Sequence, residues 1–194
     1  MPFSLPAKRS LETVPLLLLT FILLAPSLLL ANDFKVIKVY DGDTIRVEGY
    51  GTKFNVRLAG IDAPELCVEK KELGQPLSEE AQEYLSGLIL NKVVEIKGYG
   101  NKRYDLLWGE IFLDGKDINL DLVRMGYAQV YGGKSPQGFN PEPYLKAEKE
   151  AKAAKSGIWA QGETYVSPSD WRKTQKVRSG CAVLLYGIYQ QKLK

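Results

Sequence analysis

The chain contains no histidine among its 194 residues. That absence excludes Ser-His-Asp triads, histidine general bases and histidine-ligated zinc. Any hydrolytic chemistry must run on carboxylates, arginines, lysines, tyrosines or a metal. Cysteine is scarce too, with Cys67 and Cys181 the whole complement. In an exported protein these two are able to pair, which would tie the C-terminal tail to the loop beside Glu65. Sequence alone does not choose between that bond and two unrelated thiols. A strong charge of either sign is also missing. The formal net charge is +3, and removing residues 1–31 (Lys8 and Arg9 against Glu12) leaves 3 − 1 = +2. So mild an excess permits a polyanionic partner without predicting one.

Long apolar runs are limited to residues 14–31, interrupted by Pro15 and Pro26 and preceded by Lys8 and Arg9. A basic start, a leucine-rich centre and Ala31 as candidate cleavage residue read as a signal peptide. The alternative is an uncleaved anchor giving membrane association, because the run is about as long as the shortest spanning helices. Either reading takes the domain out of the cytoplasm, to a secreted, periplasmic or cell-envelope location. The apolar run at residues 181–189 is too short to span a bilayer and suggests no function. The remaining composition fits one compact domain with a hydrophobic core.

The most informative stretch is residues 41–65. It reads Asp41-Gly42-Asp43-Thr44-Ile45-Arg46-Val47, a Gly-containing turn, and then Phe54-Asn55-Val56-Arg57-Leu58-Ala59-Gly60-Ile61-Asp62-Ala63-Pro64-Glu65. Alternation at Ile45 and Val47, and at Phe54, Val56 and Leu58, predicts two half-buried strands. Residues 34–40 precede them as a further strand, making a three-stranded meander. Asp43 then stands where one strand begins, and Asp62 and Glu65 stand just past the end of another. Three carboxylates and Arg57 would share one rim of a small sheet. Clustered carboxylates suit a hard divalent cation, and arginine suits a phosphate through its planar fork. Taken singly, each residue has a plainer reading: Asp41 and Asp43 in a turn, Asp62-Ala63-Pro64 as a loop start, Arg57 paired with Glu48.

Further along, Ser78 is placed to cap a helix whose face is Ala81, Tyr84, Leu85 and Leu88. Residues 93–97 and 107–113 read as two more strands. Asn119 is placed to cap a short helix that Gly126 ends. A longer helix is expected over residues 143–156, with Tyr144, Ala147, Ala151 and Ala154 inward. Glu142–Lys146 and Glu148–Lys152 make its lysine-rich outer side a solvated face rather than a nucleic-acid patch. Residues 165–173 mix turn formers with two aromatics and are expected to pack along the domain. The order of elements is compatible with a five-stranded barrel carrying about three helices, an α+β architecture.

Asp41-Gly42-Asp43-Thr44 followed by Val56-Arg57-Leu58-x-x-x-Asp62-x-Pro64-Glu65 resembles the signature of the staphylococcal nuclease (thermonuclease) family. The similarity continues through Asp114-Gly115-Lys116, Asn119, Leu122-Val123-Arg124 and Gly126-Tyr127-Ala128 to Gly157-Ile158-Trp159. It covers roughly residues 34–160. The resemblance implies an OB-fold barrel over residues 32–160, between a targeting segment at 1–31 and an extension of unknown role at 161–194. It implies a Ca²⁺ site made by Asp43, Asp62 and the backbone carbonyl of Ala63, where threonine is the usual residue. Glu65 matches the glutamate that positions or deprotonates the attacking water. Arg57 matches one of two phosphate-holding arginines, and Asp41 stands close behind the metal.

One position departs from the family pattern. Aligned on Asp114-Gly115-Lys116, the Tyr-Gly-Arg that carries the second arginine becomes Tyr104-Asp105-Leu106. Losing a cation that stabilises the transition state costs rate, and Asp105 adds a negative charge near a phosphate. Lys102 and Arg103 are neighbouring candidates for phosphate contact, although successive strand residues face opposite ways. Two functions follow as expectations. One is an exported Ca²⁺-dependent nuclease of DNA or RNA, slowed by Leu106. The other is a catalytically degenerate module that binds nucleic acid or protein. Tyr50, Tyr99, Tyr104 and Trp108 are available to stack on bases, though core packing accounts for most aromatics.

Overall fold

The computed structural model describes residues 33–67, 74–103 and 106–178, with backbone only at 101–103 and 175–178. All of these belong to one compact unit, residues 32–194. The targeting segment at 1–31, Tyr104, Asp105 and the run at 181–189 lie outside the described residues. Among the described residues, no helix is long and apolar enough to cross a membrane.

Strands β1 (Asp33–Val39), β2 (Thr44–Gly49) and β3 (Thr52–Leu58) form the expected antiparallel meander. Alternation puts Ile45, Val47, Val56 and Leu58 in the interior. In β1 the inward residues are Val36 and Val39, three apart. A register shift between Val36 and Lys38 explains that spacing, since a bulge inserts one unpaired residue. Tyr50 (φ 51°) and Gly51 (φ 74°) form the β2–β3 turn in consecutive left-handed conformations, which suits the twist of a hairpin.

After the short β4 (Ile61–Asp62) come α1 (Ser78–Ile89), β5 (Val93–Arg103) and β6 (Leu106–Leu113). β5 pairs with β1 and with β6, both antiparallel, while β6 runs parallel to β3. The ring β3-β2-β1-β5-β6 thereby closes on itself as a five-stranded mixed barrel. β7 (Lys116–Asp117) pairs with β6 outside the ring. This is the OB-like barrel that the family resemblance implies.

Two capping expectations need correction. Ser78 lies inside the first turn of α1, and the cap position is Leu77, left-handed at φ 68° with no side-chain cap bond. In α2 (Ile118–Met125) the cap is Asp117, whose carboxylate accepts the Leu120 amide at 2.9 Å. Asn119 is buried and bonded elsewhere, as described below. Gly126 does end α2, in the left-handed conformation. α3 (Glu142–Ala153) buries Tyr144, Ala147 and Ala151, but it stops before Ala154, which is exposed. Its Glu148–Lys152 pair forms at 2.7 Å, and its other ion pair joins Lys146 to Glu150 at 4.0 Å. Beyond it lie a 3₁₀ segment (Gly157–Thr164) and a helix that the sequence reading missed, α4 (Pro168–Arg178).

Candidate active site

The segment that carries Asp62 is held from three sides. The Ala59 amide donates to the Gly109 carbonyl of β6 at 2.8 Å, and the Tyr131 amide donates to the Gly60 carbonyl at 2.9 Å. Asn119 donates through Nδ2 to the carbonyls of Ala59 and Gly109, both at 3.0 Å, and accepts the Ile111 amide at 3.1 Å. β4 then pairs with β8 (Gln129–Val130), which sets Asp62 opposite Gln129. Gly60 is required here. Its φ is +79°, and a Cβ would come within 2.0 Å of the Phe139 ring.

Asp43 is fixed by the hairpin. Its carbonyl accepts the Leu58 amide at 2.8 Å, which brings the start of β2 beside the end of β3. Gly42 lets that turn pack closely, because a Cβ there would lie 2.7 Å from the Ala63 Cβ. Thr44 Oγ1 donates to Asp43 Oδ1 at 2.9 Å, and the Ala63 amide donates to Oδ2 at 3.1 Å. Asp41 stands behind, accepting the Asp43 amide at 2.9 Å. Glu65 is held through its backbone by Gln75, a buried residue that donates its own amide to the Glu65 carbonyl and accepts the Glu65 amide at 3.0 Å.

Arg57 joins the two aspartates. Its Nη2 lies 2.9 Å from Asp43 Oδ2 and 2.8 Å from Asp62 Oδ1. Glu48 pairs instead with Lys53. Asp43, Arg57, Asp62 and Glu65 therefore share one site, with Ala63 and Asp41 beside it. Burial chiefly, and then the charge of Asp43, hold the Asp41 carboxyl well above its ordinary value. The same two causes push Glu65 up to about 6, against the lowering pull of the arginines. Asp62 is also raised, by burial first, although a hydrogen bond from an arginine opposes the shift. Burial opposes the charge on Arg57, yet the surrounding carboxylates outweigh it and raise its value. The site is crowded with negative charge even beside its cations.

The opposing arginine on Asp62 is Arg172, from α4. Its fork spans both oxygens of Asp62, Nη1 to Oδ1 and Nη2 to Oδ2, each at 3.0 Å, and Nη1 also bonds Glu65. Burial disfavours its charge, but the hydrogen bonds and charges of Asp62 and Glu65 raise it above the ordinary arginine value. The segment that carries it is stitched to the site. Gln75 donates to the Val166 carbonyl at 2.7 Å, and the Tyr165 hydroxyl donates to Gln129 at 2.6 Å. Ser167 caps the helix, accepting the Asp170 amide and donating to the Asp170 carboxylate. Ser167-Pro168-Ser169-Asp170 is an N-terminal helix signature, with Pro at the first turn and an acid three residues after the cap. That signal lies in residues 165–173, the stretch of turn formers and two aromatics expected to pack along the domain.

Leu106, Trp108 and Tyr131 line a cleft of about 290 Å³ together with Arg57 and Arg172. Lys102 and Arg103 sit at the end of β5, where Arg103 is in register with Leu106, and their side chains lie outside the described atoms. Of the aromatics considered for stacking, Trp108 borders the cleft, and Tyr50 lies edge-on to Phe34 beside the β2–β3 turn. Tyr99 is spent on a bond to Glu110 and an edge contact with Phe139. Cys67 is disulfide-bonded, and the one other cysteine in the sequence, Cys181, lies outside the described residues.

Comparison with known proteins identifies the family. Residues 55–161 match the model of a family described as staphylococcal nuclease homologue. An uncharacterized endonuclease of Haemophilus influenzae is 32% identical over 163 residues, covering 83% of this chain and 84% of that protein. An uncharacterized endonuclease of Escherichia coli O157:H7 is 32% identical over 161 residues, 82% of this chain and 95% of that protein. The probable endonuclease LCL3 of Phaeosphaeria nodorum is 38% identical over 115 residues, 56% of this chain but 38% of its own length.

Proposed function

Because the chain belongs to the staphylococcal nuclease homologue family and is a nuclease, we propose that it hydrolyses phosphodiesters in a Ca²⁺-dependent reaction at the Asp43–Arg57–Asp62–Glu65 site. The observation that carries this reading is the convergence of three carboxylates and a guanidinium: Asp43 just before β2, Arg57 in β3, Asp62 in β4 and Glu65 just after it. Among the described residues, no three acidic, thiol or imidazole side chains form a ready metal cage. The set implied by the family needs only two carboxylates and a carbonyl. The donors fit, since two carboxylates and a carbonyl are all oxygens, the donor type that a hard divalent cation takes. Asp43, Asp62 and the Ala63 carbonyl would hold the cation, which when bound supplies positive charge at the phosphate.

The chain's own groups do the rest. Arg57 holds a non-bridging phosphate oxygen and counters the charge that builds there. Glu65 accepts a proton from water, whose oxygen forms the new bond to phosphorus. The bond to the leaving oxygen breaks, that oxygen takes a proton from solvent water, and Glu65 returns its own proton to solvent. A carboxylate near pH 6 suits the task, being ionised at neutrality yet a stronger base than an ordinary glutamate. We assign the chain to a site outside the cytoplasm, on the basic, leucine-rich pattern of residues 1–31.

The full chain should cleave single-stranded DNA with Ca²⁺ and stop when a chelator is added. A folded protein that cleaves nothing under either condition sinks the proposal and leaves the binding module, which Leu106 favours. A second outcome follows from the raised carboxyls. Below about pH 6, Ca²⁺ binding should release protons, and near pH 8 it should release almost none. Calorimetry in buffers of different ionisation enthalpy measures this, and proton uptake on binding would contradict it.

A further inference from the structure

We propose that Arg172, delivered by α4, is the second phosphate-holding guanidinium of this site and replaces the cation missing at Leu106. The family match ends at residue 161, so Arg172 comes from outside the matched region. The inference rests on the nuclease reading above.

Three observations carry it. The first is position. In the parallel β3–β6 pair, Asn55 is in register with Leu106 and Arg57 with Trp108. Leu106 and Arg172 line the same cleft as Arg57. The strand position that lacks a cation and the helix that supplies one therefore face the same space. The second is presentation. Arg172 is held by a capped helix whose approach is tied to Gln75 and Gln129, the residues that also hold Glu65 and face Asp62. A long side chain on such a support loses less freedom when it takes up a ligand than one on a loose tail.

The third is chemistry. Arg172 spends its fork on two oxygens of one carboxylate, and a phosphodiester offers two oxygens in matching geometry. About a quarter of its side chain is exposed (24%), against 1% for Asp62, so the ligand side of the pair is the arginine. A cation on Asp62 competes for the oxygens that Arg172 now holds. The fork released from them lies beside Arg57 on the cleft side, where phosphate would enter.

The test uses the full chain as wild type, Arg172→Ala, Arg172→Lys and the double variant Arg172→Ala with Leu106→Arg. Hydrolysis of single-stranded DNA is measured at saturating and at limiting Ca²⁺. In parallel, fluorescence anisotropy follows a short single-stranded oligonucleotide on each protein in a Glu65→Gln background. Removing one preorganised donor should lower kcat by about 10²-fold or more, with lysine intermediate because it lacks the fork. The oligonucleotide should bind about tenfold more weakly, the typical worth of a charged hydrogen bond. Leu106→Arg should restore at least part of both losses, and such rescue excludes misfolding as their cause. Unchanged oligonucleotide binding in Arg172→Ala overturns the proposal. So does higher activity at limiting Ca²⁺, since Arg172 would then be only a plug in the cation site. If wild type itself fails to cleave, the nuclease reading has failed, and the anisotropy alone still decides the role of Arg172.

Discussion

Glu65→Gln should lower kcat on single-stranded DNA by about 10²- to 10⁴-fold, the range expected when a general base is removed from proton transfer. The substitution keeps the volume of the side chain and an oxygen able to accept from Arg172, while it removes the charge and the capacity to take a proton. The backbone should stay in place, because both bonds between Glu65 and Gln75 use the Glu65 main chain. The pH profile gives a second readout. Wild-type activity should climb as pH rises toward and through about 6, and the bound cation should draw that limb lower. The residual activity of Glu65→Gln should lack it. A loss smaller than about tenfold, with the limb intact, would remove Glu65 from the role of base.

Stability should respond in the opposite sense. Glu65 titrates higher in the folded chain, about 6 against an ordinary 4.5, so the fold binds its proton more tightly than the unfolded chain does. Its contribution is fully present below about pH 4.5 and is lost as pH rises through about 6. In chelator, denaturant midpoints of the wild type should fall across that window. Glu65→Gln should flatten the fall, while the raised Asp41 and Asp62 leave a remainder.

The largest stability effect is expected at Asn119. Its side chain is fully buried and joins the Ile111 amide to the Ala59 and Gly109 carbonyls. Gly109 keeps a second partner in the Ala59 amide, so Asn119→Ala strands two groups, the Ile111 donor and the Ala59 acceptor. Each stranded buried group costs about 1–3 kcal/mol, so the variant should lose roughly 2–6 kcal/mol in urea unfolding. The same change loosens the segment leading to Asp62, and Ca²⁺ affinity should weaken with it. A loss under about 1 kcal/mol would mean that water enters and replaces the amide. Asn119→Asp should be no better, because it removes both donated bonds and buries a charge.

The site residues that were legible in the sequence share one property, which is that short-range pattern places them. Asp43 stands at a strand start, and Arg57 is the sixth residue of the paired strand, opposite Thr44 in the register of a tight hairpin. Asp62 and Glu65 follow within eight residues of Arg57. Alternation and turn chemistry are local, so the rim could be drawn before any long-range contact was known. Ser167-Pro168-Ser169-Asp170 was equally local, and it marks the start of α4 in a stretch otherwise poor in periodicity.

Other features depended on the packed chain. The parallel β3–β6 contact that closes the barrel joins segments separated by the whole of α1 and β5, and no alternation of side chains encodes a partner strand. Asn119 read as a helix cap because that is what asparagine does near a helix start. Its actual bonds run to β6 and to Ala59, 60 residues away. Gln75 lies between Gly74 and Pro76, where no periodic pattern marks it, and its value lies in bridging Glu65 to Val166. Arg172 reaches Asp62 across 110 residues of sequence. Sequence by itself determined that Asp43, Arg57, Asp62 and Glu65 gather at one end of the hairpin. Docking of α4 decided that a second guanidinium joins them, because a contact made only when two distant elements meet leaves no periodic trace along the chain.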